Sequence, residues 1–260
     1  MIVNRPPVAP FFTALAFLTR VPVRNAVSTP EAIGRAAAVF PVIGALAGLL
    51  SVALLALLPR GLPPEVTAIL IVLGGILLTG ALHLDGLADT ADGFGGGWTR
   101  EDVLRIMRDH QIGTFGAVAL IVALFLEVAA IASLIERNAS GRALTGALTA
   151  ALTGAPVAGR WSLVLLARWL PYARSGDGLG RTVTDYVGNR EVTVATLLAV
   201  AITLMAAGPR GFVWLAASLV ATGLFGWMCR RRIGGITGDT LGASAVLCET
   251  LTLVLATVRL

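Results

Sequence analysis

The chain has 260 residues, of which 56% are hydrophobic and only 13% charged, with a formal net charge of +5. Soluble domains spend about a quarter of their residues on charge, so this composition excludes an ordinary water-soluble fold and points to a polytopic membrane protein whose perimeter is covered by lipid. The 20 basic residues are all arginine and sit mostly between apolar runs, not on one soluble face, which argues against nucleic acid as a partner.

Residues 8–20, VAPFFTALAFLTR, are apolar but brief and predict a helix lying on or dipping into the membrane. Nothing at the start has the charged region, short apolar core and small-residue site of a signal peptide, so no cleaved leader is expected. Apolar runs follow at 36–58, 66–84, 115–136, 143–170, 192–207, 211–229 and 243–258. A helix needs roughly 20 residues to cross a bilayer, and these runs predict seven spans. The fourth is long enough to be tilted or broken. Pro156 inside it, with Gly154 and Gly159 nearby, predicts a kink, and two shorter helices are the alternative. Cys229 and Cys248 form neither a metal-ligand spacing nor a disulfide framework.

Arginine distribution orients the spans. Arg5, Arg20, Arg24 and Arg35 precede the first. Arg100, Arg105, Arg108, Arg174, Arg181, Arg190 and Arg230–Arg232 fall in loops on the same side, against Arg60, Arg137, Arg142 and Arg210 on the other. Positive residues favour the cytoplasm, which predicts a cytoplasmic N-terminus and an outward C-terminus. The polar loops near 85–114, 171–191 and 230–242 then share the cytoplasmic face, and none could build its own core. The predicted fold is all-α: a polytopic integral membrane helical bundle, one transmembrane domain over 1–260.

The second run, VTAILIVLGGILLTGAL, leads directly into HLDGLADTADGFGGG at 83–97. Carboxylates beside a bilayer are costly unless they reach water or bind a cation. If the helix continues, Asp85, Asp89 and Asp92 fall at i, i+4 and i+7, within about 60° on one face. Such carboxylates repel one another unless protonated or bridged by a hard cation, Mg²⁺ or Mn²⁺, which commonly holds substrate phosphates. A solvated polar helix end is the bland alternative. Gly93, Gly95, Gly96 and Gly97 should break the helix, and Gly95 and Gly96 could bring backbone amides to phosphate oxygens; a plain turn fits the glycines equally well. Arg105 and Arg108 can face one way and offer forked donors to phosphate, or anchor topology. His83 and His110 are candidate bases or structural hydrogen-bonders. At 230–249, RRRIGGITGDTLGASAVLCE places Asp239 after a glycine-rich turn and Glu249 ten residues on, a second carboxylate on the predicted site face. Arg160 lies deep in the fourth span, with Glu127 and Glu136 in or near the third, and intramembrane charge is a functional hypothesis by default.

LHLDGLADTADGFGGG at 82–97, IMRDHQIGTFG at 106–116 and GGITGDTLGA at 234–243 resemble the cobalamin synthase (adenosylcobinamide-GDP ribazoletransferase) family. FFTALAFLTRVPV at 11–23, FPVIGALAGLL at 40–50, PVAGRW at 156–161 and LPYAR at 170–174 extend the resemblance over essentially the whole chain. It implies a magnesium-dependent, multi-pass transferase of the bacterial inner membrane that joins adenosylcobinamide-GDP to α-ribazole, or its 5'-phosphate, and releases GMP. It implies Asp85, Asp89, Asp92 and Asp239 as the acidic site, with Asp89, Asp92 and Asp239 catalytic, and Arg105, Arg108, Arg160 and Arg174 as phosphate contacts. The pattern departs at His110, where serine is common, and at Val246, where glutamate is expected; Glu249 is retained. One aspartate, Asp92 for instance, would accept the hydroxyl proton. The oligomeric state, a homo-oligomer included, stays open. A CDP-alcohol phosphotransferase lacks its arginine-containing signature here, and a transporter would place its charges near mid-bilayer in repeated halves.

Overall fold

The computed structural model describes residues 9–24, 26–137, 146–176 and 178–258, and among these it is built of α-helices with one 3₁₀ turn. Arg5 and Arg142 lie outside the described residues. The helices are α1 (Ala9–Leu18), α2 (Pro30–Ala36), α3 (Phe40–Leu57), α4 (Pro64–Thr79), α5 (Leu82–Gly96), α6 (Arg100–Ile106), α7 (Thr114–Glu136), α8 (Gly146–Trp169), α9 (Leu179–Thr184), α10 (Asn189–Ala207), α11 (Arg210–Ile233) and α12 (Gly238–Thr257).

Six of these segments are long and apolar enough to cross a membrane: Pro30–Leu57 (α2–α3), α7, α8, α10, α11 and α12. The pair α4–α5, bent by 91°, supplies a seventh. Helix polarity assigns the crossing within that pair to α4. One end of the bundle gathers Gly146, Ala207, Arg210, Trp214 and Ala256 around a common cavity. So α10 and α12 finish where α8 and α11 begin, and the Arg137 guanidinium at the foot of α7 donates to the Thr257 carbonyl there. At the other end, α5 crosses the first turns of α7 and α12. A Cβ on Gly86 would lie 2.6 Å from the Asp239 carbonyl oxygen, and one on Gly116 would lie 2.9 Å from that of Ala88. With α3 leaving this end and α7 leaving it again, α4 must make the return. Seven crossings alternate, and α5 lies across the bundle end outside them.

The bend has a local cause. Gly80 and Ala81 both adopt left-handed backbone, φ +62° and +60°, so the chain cannot continue α4 and restarts as α5 almost at right angles. Ala81 pays about 1 kcal/mol for a conformation that only glycine adopts freely. The backbone N–H of Arg20, just past α1, donates to the Leu78 carbonyl at 2.7 Å, tying α1 to the end of α4.

The centre is α8, whose membrane-crossing window is wholly buried. It is one unbroken helix with Pro156 inside it, so the two-helix alternative fails. The reason is packing. Gly44 and Gly48, four apart on α3, let the two backbones touch: added Cβ atoms would sit 2.5 Å from the Pro156 and Leu152 carbonyl oxygens. This is the small-xxx-small contact of membrane helices, and it falls where Pro156 leaves the Leu152 carbonyl without its helical donor. Large apolar side chains such as Leu57, Leu77, Phe125, Leu197, Met205, Leu224 and Trp227 remain exposed around the outside, as lipid requires.

Two more expectations change. Gly93, Gly95 and Gly96 do not break the helix; α5 runs through Gly96 and stops at Gly97. They serve as flat surface instead, Gly93 against Met107 and Gly95 against the Phe115 ring. The third polar loop is also shorter than expected, because α11 runs to Ile233 and α12 starts at Gly238.

Candidate active site

The polar segments predicted to share a face do meet. Arg100 Nε donates to the Ile233 carbonyl at 2.8 Å and its Nη2 to that of Ala173 at 2.6 Å. Arg232 Nη2 donates to the Gly97 carbonyl at 2.8 Å and also to that of Phe94. Backbone bonds Ala173–Ile236 (2.7 Å) and Ile236–Pro171 (2.9 Å) form a short bridge between the second and third segments. Two arginines that read in the sequence only as topology charges therefore fasten all three segments into one platform.

On this platform, α5 presents Asp85 and Asp89 beside Asp239 in the first turn of α12. Thr237 caps α12, its Oγ1 accepting from Thr240 N at 3.2 Å, which sets Asp239 at the helix start. Arg174 Nη2 pairs with Asp239 Oδ2 at 2.7 Å and reaches the Met107 carbonyl at 3.2 Å. Arg181 donates to the Arg174 carbonyl at 3.1 Å and stacks over Tyr172, 5.4 Å from the ring centre. The Nε atoms of Arg174 and Arg181 are buried with no hydrogen-bond partner. Buried donors left open are expensive.

Asp89 shows the electrostatic cost of the cluster. Partial burial, then the nearby Asp239 and Asp85 carboxylates, push its carboxyl up to about 7, against a smaller opposing pull from Arg174. Among the described residues no three His, Cys, Asp or Glu side chains converge into a ready-made metal cage. The donor chemistry nonetheless suits a hard cation shared with a ligand: oxygen donors only, with Asp89 pushed upward first by burial, and a cavity lined by Asp85 and Asp239 where phosphate oxygens could complete the shell.

Asp92 is different from its two neighbours. It is buried, and its two oxygens accept from Gly113 N at 2.7 Å and Gly116 N at 2.8 Å. A Cβ on either glycine would collide with the carboxylate. Asp92 thus satisfies the open N–H groups at the start of α7 and holds α5 against α7, so of the aspartates among which the sequence left the proton acceptor undecided it is the one whose two oxygens are already engaged by backbone amides.

The predicted phosphate contacts divide in the same way. Arg108 and Arg174 line a cavity of about 370 Å³ together with Asp85, Asp239 and Tyr172. Arg105 points to solvent and pairs weakly with Asp102 at 3.5 Å. Arg160 is buried within the bundle and ion-paired with Glu249, lining a separate cavity with Glu127, which accepts from Thr250 at 2.8 Å. Gly95 and Gly96 are helical, with no open nest. His110 is exposed. Tyr172, Gly178, Gly180 and Arg181 were missed, although the run RSGDGLGRT at 174–182 carried the signal in its closely spaced glycines and flanking arginines.

A helical bundle with six or seven candidate membrane spans and, at one end, carboxylates and arginines around a cavity defines a polytopic membrane protein with a polar site at one end. The family model for cobalamin-5-phosphate synthase matches residues 10–257. The adenosylcobinamide-GDP ribazoletransferase of Chlorobaculum tepidum is 39% identical over 91% of this chain and 90% of its own. The proteins of that name from Pseudomonas syringae and Acetivibrio thermocellus are 40% and 36% identical, covering 92% and 93% of this chain and 95% and 94% of theirs. No solved structure matches. The chain belongs to the cobalamin-5-phosphate synthase family.

Proposed function

We propose that this protein is an adenosylcobinamide-GDP ribazoletransferase, joining adenosylcobinamide-GDP to α-ribazole or its 5'-phosphate with release of GMP. The observation that carries this reading, beside family membership, is the meeting of Asp85 and Asp239, from two helices, with Arg108 and Arg174 at one cavity, with Asp89 close enough to Asp85 and Asp239 to feel their charge. A ribose hydroxyl must lose a proton, attack phosphorus and expel GMP from a diphosphate. Arg108 and Arg174 bind and orient the diphosphate oxygens with forked donors. Arg181 braces the loop that carries Arg174. Asp89, whose carboxyl is poised near neutrality, accepts the hydroxyl proton, a task that favours a group titrating near the working pH. Asp85 and Asp239 would hold Mg²⁺, with Mn²⁺ an acceptable substitute, and the ion would neutralise charge on the transferring and departing phosphates.

The site end carries Arg20, Arg24, Arg35, Arg100, Arg105, Arg108, Arg174, Arg181, Arg190 and Arg230–Arg232, against Arg60, Arg137 and Arg210 elsewhere. Positive residues favour the cytoplasm, so the site faces the cytoplasm of a bacterial inner membrane, where nucleotide-activated substrates are made. The test is GMP release by purified protein in detergent or lipid from adenosylcobinamide-GDP plus α-ribazole, with Mg²⁺ and then with chelator, beside Asp89→Asn. Turnover that depends on metal and is lost in the variant supports the assignment. Folded wild type that releases no GMP with both substrates and Mg²⁺ present defeats it.

A further inference from the structure

The cavity at the platform has two unlike halves. Its rim is polar, with Asp85, Asp239, Arg108 and Arg174; its back wall is apolar, formed chiefly by Phe17 and Leu18 of α1, Phe40 of α3, Leu163 of α8 and Leu241 of α12. Phe17 and Phe40 lie nearly parallel, 12° apart with ring centres separated by 5.8 Å. At about 370 Å³ the space lies near the lower end of the roughly 300–1,000 Å³ typical of small-molecule sites. It suits a nucleoside and is too small for a corrin ring with its amide side chains. Of the two substrates in the proposed reaction, one is a ribosyl benzimidazole and the other a corrinoid carrying guanosine.

Chemistry separates the two bases that could enter. A guanine edge carries several donors and an acceptor, and a wall of phenylalanine and leucine would leave them unpaired, at about 1–3 kcal/mol for each buried group. A dimethylbenzimidazole edge is apolar except for a single ring nitrogen. The same cavity is lined by His83, which is buried and whose Nε2 has no hydrogen-bond partner. A neutral imidazole N–H supplies one donor, and the base has one acceptor.

We infer that this cavity seats the base of α-ribazole, flat against the open face of Phe17, whose other face is backed by Phe40, with its ring nitrogen accepting from His83 Nε2, so that the ribose projects to the carboxylates at the rim while the corrin ring stays outside the mouth. The inference rests on the proposed transferase activity. It gives α1 a purpose: the short N-terminal helix closes the acceptor site and is not only a membrane anchor.

The test measures KM for each substrate separately, with Phe17→Ala and Phe17→Leu, and repeats binding without the second substrate by equilibrium dialysis of α-ribazole. Phe17 is only partly buried but packs on Phe40 in the core, so Phe17→Leu, which keeps an apolar side chain there, controls for lost packing. Phe17→Ala should raise KM and Kd for α-ribazole about tenfold, Phe17→Leu less, with KM for adenosylcobinamide-GDP unchanged within twofold. An indole riboside, which lacks the ring nitrogen, should bind wild type about tenfold more weakly than α-ribazole, and His83→Leu should erase that difference. Equal rises in both KM values, a rise for the corrinoid alone, or full discrimination of the indole riboside by His83→Leu would each overturn the assignment. Wild type that binds α-ribazole but releases no GMP would retire the proposed reaction and leave the seat standing.

Discussion

Asp89→Asn should inactivate the protein while making it more stable at alkaline pH. The Asp89 carboxyl is pushed from 3.8 to about 7, first by burial and then by Asp239 and Asp85. Because the folded value lies above the unfolded one, stability is fully present below about pH 4, falls as the pH rises through the window from 4 to 7, and stays reduced above it. At 1.36 kcal/mol per pH unit the full penalty would be about 4 kcal/mol, but Asp89 is half-exposed, and solvent screening leaves ~1–2 kcal/mol. Removing the charge should therefore raise Tm in detergent by about 2–5 °C at pH 8 and leave it unchanged at pH 4. Millimolar Mg²⁺ should stabilise wild type at pH 8 by relieving the same repulsion, and the gain should shrink in the variant. GMP release should fall by a factor of about 10² or more, the usual worth of a positioned base. A variant that loses stability at pH 8 would refute the claim that the carboxylates oppose one another, and one that keeps turnover would refute the claim that Asp89 takes the proton.

Asp92→Ala should behave in the opposite sense, costing about 2–4 kcal/mol by stranding the buried amides of Gly113 and Gly116, read as a large drop in Tm at every pH; Asp92→Asn should cost less. Arg105→Ala should change GMP release by less than twofold, since its one ion pair is exposed, whereas Arg108→Ala should raise KM for adenosylcobinamide-GDP about tenfold in the same steady-state assay. Ala81→Gly should stabilise the fold by about 1 kcal/mol in thermal melts, because glycine holds φ +60° without the Cβ clash.

The bundle was legible in the sequence because lipid leaves a coarse signal: seven apolar runs, with arginine concentrated at alternate joints. The acidic face was legible because Asp85 and Asp89 are one helical turn apart, a spacing that a helix converts into proximity. What local pattern could not supply was a direction change and a partner. Nothing in LLTGALHL announces that Gly80 and Ala81 turn left-handed together, and that turn lays α5 across α7 and α12. Nor does Asp92, one helical turn beyond Asp89, reveal that two amides more than twenty residues away hold it. Arg160 misled for a similar reason: a lone arginine in an apolar run looks available until its carboxylate is found 89 positions later.

The two sets of charge obey one constraint and resolve it differently. Inside the bundle, where an unpaired ion is prohibitive, Arg160 has Glu249 and Glu127 has the Thr250 hydroxyl. At the bundle end the carboxylates are deliberately under-compensated: three acidic groups, Asp85, Asp89 and Asp239, face one paired arginine, and two arginine Nε atoms lack partners. Such an arrangement is tolerable only because α5 lies across the end, where water and substrate reach it. Had α4 continued straight, these carboxylates would have extended beyond the bundle with neither Asp239 nor Arg174 beside them. The right-angle turn at Gly80–Ala81 is therefore what converts a polar helix end into a site, and the unmet charges it collects are what a metal-bound diphosphate would complete.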